Sequence, residues 1–96
     1  MEQPARNAIG ANLRRIRTDK EFSQERLAVA CSRLGYELPR ATIAKIESGI
    51  RGASDFEIFV IAHALKIEIA ELFPAGLMRR IREGTVSPFH VRQKKS

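Results

Sequence analysis

"GYELPRATIAKIESG", residues 35–49, opens as a turn, continues as a helix and stops at a glycine. Set out at about 100° per residue, its middle divides into two faces. Ile43 and Ile46 fall on one side with Pro39, and Glu47 lies at the margin. Arg40, Ala41, Ala44 and Lys45 fall on the other side. Alanines let a helix come close to whatever it faces, and long cations beside them reach for phosphates or guanine edges. A solvated surface helix can carry the same pattern, and periodicity alone does not separate the two readings.

Outward from this stretch, helical periods run through most of the chain, and no segment alternates long enough to argue a strand. A first segment spans about Pro4 to Lys20, with proline suited to the first turn and Ile9, Leu13 and Ile16 spaced for one face. A second opens at Ser23, an apt N-cap, and places Leu27, Ala28, Cys31 and Leu34 on one face before Gly35 ends it. The quoted helix is third, with Gly49 as its left-handed C-terminal residue. A fourth runs from Ser54-Asp55 to Leu65, and a short turn or two follows from Ile67 to Phe73, ended by Pro74. Leu77 to Arg82 adds a brief helix, and residues from Gly84 onward read as an extended tail. The expected fold is all-α, five short helices in one compact domain.

Composition narrows the function. The chain has 96 residues, 44% apolar and 29% charged, as ordinary globular domains have. No stretch approaches the roughly 18 apolar residues of a membrane span, and the N-terminus lacks the apolar core of a signal peptide. The single cysteine, Cys31, makes no internal disulfide, so the expected location is cytoplasmic. Two histidines and one cysteine offer no metal cluster, and no phosphate loop or nucleophile–base arrangement is present, so neither cofactor, metal nor enzymatic activity is expected. The net charge of +6 is unevenly spread. Residues 1–73 hold eleven Lys/Arg against ten Asp/Glu, whereas residues 74–96 hold Arg79, Arg80, Arg82, Arg92, Lys94 and Lys95 against Glu83 alone. A basic tail points first to a nucleic acid partner, and equally to simple solubility.

The words FSQERLA, TIAKIESG, IAHAL and ELF follow one another in this order. Together they resemble the Cro/cI-type (Xre) helix-turn-helix family of transcriptional regulators, over Ile9 to Phe73. Ser23, Gln24, Glu25, Leu27 and Ala28 fit the start of the family's second helix. Ile46, Glu47, Ser48 and Gly49 fit the close of its third, and Ile61, Ala62 and Leu65 fit its fourth. The resemblance implies a lambda-repressor-like DNA-binding domain over 1–73 and a basic C-terminal segment over 74–96, a short helix and then a tail.

It also implies roles. The helix from Pro39 to Ser48 becomes the recognition helix in the major groove, with Arg40, Ala41, Thr42, Ala44 and Lys45 toward base edges. Gln24, Ser48, Ile50 and Arg51 take phosphate positions, Ile50 through its backbone N–H alone. Arg17 and Glu47 match an ion pair between the first and third helices. Two departures qualify this transfer. The stretch from Leu27 to Glu47 is longer than usual, so both the second helix and the turn should lengthen, with Tyr36 and Leu38 bracing the turn. Pro39 also stands where a Ser or Thr cap is common.

The fourth segment has more apolar surface than one core can use. Ile58, Ile61, Ala62 and Leu65 face one way, and Phe56, Phe59, Val60 and His63 the other. Such a patch is usually covered, either by the C-terminal residues Leu77, Met78, Ile81, Val86 and Phe89 folding back or by a second subunit. The expected function is a sequence-specific regulator, repressor or controller in type, binding double-stranded operator DNA as a homodimer. The alternative is an interaction module such as an antitoxin or adaptor, meeting a protein partner (a toxin or polymerase) through the Phe56/Phe59 face.

Overall fold

The computed structural model describes residues 6–84. Helix α1 spans Gly10–Asp19, α2 Gln24–Arg33, α3 Arg40–Ser48, α4 Asp55–Leu65 and α5 Leu77–Arg82, with a 3-10 turn at Ile69–Leu72. Among the described residues there is no strand, and the fold is all-α.

Local chemistry sets most boundaries. Ser23 Oγ accepts from the Arg26 N–H at 2.9 Å and starts α2. Ser54 and Glu57 form a reciprocal capping box at the start of α4. Gly49, at φ 83°, ends α3 in the left-handed conformation that a side chain would disfavour. Alternation of face then does the packing. Ile9, Leu13 and Ile16 of the first segment, Leu27 and Cys31 of α2, Ile43 and Ile46 of α3, and Ile61 and Leu65 of α4 close one core, with Leu38 and Leu72 sealing its ends. Leu38 is buried and Tyr36 packs partly against the core, so the long connection is braced as expected.

Three expectations are corrected. The first helix starts at Gly10, not near Pro4, because the Asn7 side chain competes for the backbone: its Oδ1 accepts from Ile9 N–H (2.9 Å) and Gly10 N–H (2.6 Å), turning the chain before it coils. Pro4 itself lies outside the described residues. Leu34 lies outside the core, 53% exposed, because α2 ends at Arg33 and Leu34 sits in the cap beyond it. Pro39 is the residue before α3 and not its first helical residue; its φ of −61° and ψ of 153° are extended.

Gly10 is where α1 meets α3 most closely. A Cβ there would overlap the Ile46 carbonyl oxygen and sit 3.0 Å from that of Glu47. Alanine is worth about 1 kcal/mol over glycine within a helix, but forcing an atom against fixed backbone costs about 1–3 kcal/mol. Gly10→Ala is therefore expected to destabilise the protein despite its better helix propensity. A urea midpoint at or above that of the parent would refute this close approach.

Candidate nucleic-acid interface

The inward face of α3 is held by a buried ion pair. Arg17 Nε donates to Glu47 Oε2 at 2.6 Å and Nη2 to Oε1 at 3.0 Å, while Nη1 donates to the Phe22 carbonyl at 2.7 Å. Gln24 Nε2 adds a third donor to Glu47 Oε1 at 3.0 Å. The hydrogen bond to Glu47 raises the Arg17 pKa further, outweighing the desolvation that lowers it. The carboxylate is almost fully shielded, its side chain 3% exposed, and is matched by two cationic N–H groups and an amide.

At its C-terminal end α3 is tied a second time. Asn7 Nδ2 donates to the Ile46 carbonyl at 3.0 Å and to the Arg51 carbonyl at 2.7 Å, and Arg6 N–H donates to the Gly49 carbonyl at 2.9 Å. With those two links, the Asn7 side chain joins three pieces of chain. Asn12 Nδ2 ties α1 to the 3-10 turn through the Glu71 carbonyl at 2.8 Å.

What this leaves outward is the face singled out in the sequence. Arg40, Ala41 and Lys45 are exposed, and Thr42 and Ala44 are half-buried beside them. The N-terminal end of α3 carries no side-chain cap, since Pro39 cannot supply one.

The expected phosphate residues are more heavily engaged than the sequence suggested. The Ile50 N–H, expected to be available, donates instead to the Lys45 carbonyl at 3.1 Å, as the C-terminal turn of α3 requires. Ser48 Oγ donates to that same carbonyl at 3.1 Å. Arg51 forms a two-pronged pair with Glu57, Nη1 to Oε1 and Nη2 to Oε2 both at 2.8 Å, and Nη1 also donates to the Gly52 carbonyl at 2.7 Å. Gln24 spends its amide N–H on Glu47, as described above. On α4, Phe56 is 68% and Phe59 51% exposed, with the Phe59 and His63 ring centroids 4.7 Å apart, whereas Val60, expected on the same open face, is partly buried against the core. No residue of α5 is buried, though Leu77 and Ile81 are half-buried; Val86 and Phe89, also considered as covers, lie outside the described residues, as do the tail cations Arg92, Lys94 and Lys95.

Two structural residues went unassigned in the sequence. Asn7 bonds to groups roughly forty positions away and leaves no local pattern. Glu57 had a visible signal, the Ser-x-x-Glu spacing of Ser54 and Glu57 ahead of an apolar run. Cys31 is fully buried, which pushes its thiol up to about 11 and keeps it protonated and unreactive. Among the described residues no group of three or more His, Cys, Asp or Glu is placed to hold a metal, and no helix is long and apolar enough to cross a membrane.

Comparison with known proteins bears on the same region. A helix-turn-helix family model matches residues 13–72. The structure is similar to the crystal structure of the restriction-modification controller protein C.AhdI from Aeromonas hydrophila, with a TM-score of 0.61 and 39% sequence identity over 69% of this chain and 92% of that one. Among curated proteins, none matches the sequence significantly.

The Arg51–Glu57 pair has a consequence for acid stability. The hydrogen bonds from Arg51 hold the Glu57 carboxyl below its ordinary 4.5, against the desolvation that would raise it. A lowered native pKa contributes stability that is fully present above the unfolded value and lost as pH falls through the native one. The parent should therefore lose stability below about pH 4.5 more steeply than Glu57→Gln. Parallel urea midpoints from pH 5 to pH 3 for the two proteins would remove this role.

Proposed function

The chain belongs to the Cro/cI-type helix-turn-helix family, and from that premise we propose that it is a sequence-specific transcriptional regulator that binds operator DNA as a homodimer. One observation carries the reading: α3 is fastened on its inner face and at its C-terminal end, and presents two cations and small side chains outward. That is what a major groove can accept, with a helix pressed close and guanidinium or ammonium groups in reach of guanine edges.

In this reading Arg40 and Lys45 contact bases, Ala41 and Ala44 allow close approach or meet thymine methyls, and Thr42 lies in the same set. Ser48 and Gln24 flank them toward the backbone. Gln24 would do so with its second amide N–H, the first remaining on Glu47. Arg51 would meet a phosphate only with whatever its pairing to Glu57 leaves available. The residues from 74 onward would form a separate basic extension, and Arg79, Arg80 and Arg82 would add contacts to flanking phosphates. Each phosphate neutralised adds about 0.9 to the slope of affinity against salt.

The homodimer follows from the need to read more than a few base pairs, since a two-fold pair of recognition helices reads half-sites about 34 Å apart or a multiple of that. Phe56, Phe59, Val60 and His63 would supply the shared face. A role as a restriction–modification controller, the name given to the similar protein from Aeromonas hydrophila, is the biological setting this reading favours. The same aromatic face also suits a protein partner in place of a second copy, which is the competing reading.

Selection of binding sites from random duplex DNA should return a two-fold symmetric consensus with steep salt dependence. Arg40→Ala and Lys45→Ala should each weaken binding to that site by about 1–3 kcal/mol, with thermal unfolding unchanged. Phe59→Glu should shift the parent dimer toward monomer in sedimentation before it affects folding. A parent that is monomeric at high micromolar concentration would refute the dimer, and selection without any consensus would refute the operator.

A further inference from the structure

On the flank of α2 away from α3, the surface between α2 and the end of α4 dips into a groove of about 380 Å³. Its apolar lining comes from Phe22, Val29, Ala30 and Leu34 on one side and Ala64, beside His63, on the other. Val29 remains 42% exposed and Leu34 more so, which makes the groove open and its lining wet. Its rim is cationic: Arg26, Arg33 and Lys66 line it, and no carboxylate does. Arg26 lies over the Phe22 ring, its guanidinium carbon 4.2 Å from the centroid. Among the described residues, neither Arg33 nor Lys66 has an ion-pair partner.

One exposed apolar side chain needs no explanation, but several converging in a concavity do. Here three cations also line the wet apolar groove, with no carboxylate among them. An occupant that is apolar beneath and anionic at its edges matches both features.

We propose that this groove docks an acidic amphipathic helix of a partner protein, seating leucine-sized side chains on Phe22, Val29 and Leu34 and carboxylates against Arg26, Arg33 and Lys66. Charge complementarity selects that occupant. Residues 85–96 of the chain carry Arg92, Lys94 and Lys95 and no acid, so its own tail is repelled. Duplex DNA would satisfy the cations but leave the apolar floor unmet. The groove also faces away from the recognition helix: Gln24 and Ser32, on the near flank of α2, bond to Glu47 and Glu37, whereas Arg26, Val29 and Arg33 occupy the far flank. None of the groove's lining residues belongs to α3, but the groove adjoins the α4 face given to the second subunit, since His63 both lines it and packs on Phe59.

The test uses the full chain and a fluorescein-labelled helical peptide of Glu, Ala and Leu, about 15 residues long so that it can coil, with leucines on one face. Binding by anisotropy is expected, with amide shifts at Val29, Ala30, Leu34 and Lys66. Affinity should fall at least tenfold in the double variant Arg33→Glu/Lys66→Glu, and again in Leu34→Ser. A peptide with every Glu changed to Lys should regain binding to the charge-reversed double variant, which excludes misfolding as the cause. The proposal is overturned if the groove amides do not shift at millimolar peptide, or if a peptide with serines for leucines binds equally well. It is also overturned if shifts gather on α3 or around Phe56, or if duplex DNA displaces the peptide, since the peptide would then be acting as a polyanion or as a second subunit.

Discussion

Everything the outer face of α3 can do depends on the carboxylate of Glu47. It comes from the inward side of α3, takes two N–H groups of Arg17 from α1 and one from Gln24 of α2, and is almost sealed from water. A buried charge is tolerated only when its hydrogen-bonding capacity is met, and here the matching donors come from both neighbouring helices. Removing either partner would strand the other, at a cost of about 3–5 kcal/mol. The pair is therefore better understood as fixing the relative placement of three helices than as a source of net stability. Hydrophobic contacts of Ile43 and Ile46 could be met by several rotations of α3, but three directed hydrogen bonds to one carboxylate allow only one.

The second constraint sits at the other end of the same helix. Asn7 binds the Ile46 and Arg51 carbonyls while capping the entry to α1, and Gly10 lets that entry press against the α3 backbone. The Ile46 carbonyl, at the C-terminal end of α3 where acceptors are left over, finds its donor there. The C-terminal turn of α3 is occupied by bonds to its own chain, whereas Arg40, Ala41 and Lys45 stand exposed.

Much of this was legible in the sequence, for identifiable reasons. Periodicity located Ile43, Ile46, Ile61 and Leu65 because burial repeats with the helix; Ser23, Gly49 and Gly35 marked boundaries because caps and left-handed turns need particular chemistry. Even the short helix Leu77–Arg82 was readable. What escaped was set by distance along the chain. The start of α1 depends on Asn7, which has its reason for being where it is in Ile46 and Arg51, and no local window contains both. Leu34 fits the apolar face of α2 by period, yet the helix stops one residue earlier. The candidate face of α3 was legible as a pattern, but the commitments of Arg51 and of the Ile50 N–H were not, because both are settled by how a loop closes on the next helix.

The two sides of α3 share no side chains. Ile43, Ile46 and Glu47 hold it, and Arg40, Ala41 and Lys45 face outward. Substitutions on the outer side meet solvent in the unbound protein and should change folding free energy little. Variation at those positions is therefore almost independent of whether the protein folds. On the proposed reading, a lineage carrying this scaffold could acquire new specificities one residue at a time, while the inner side remains closed to change.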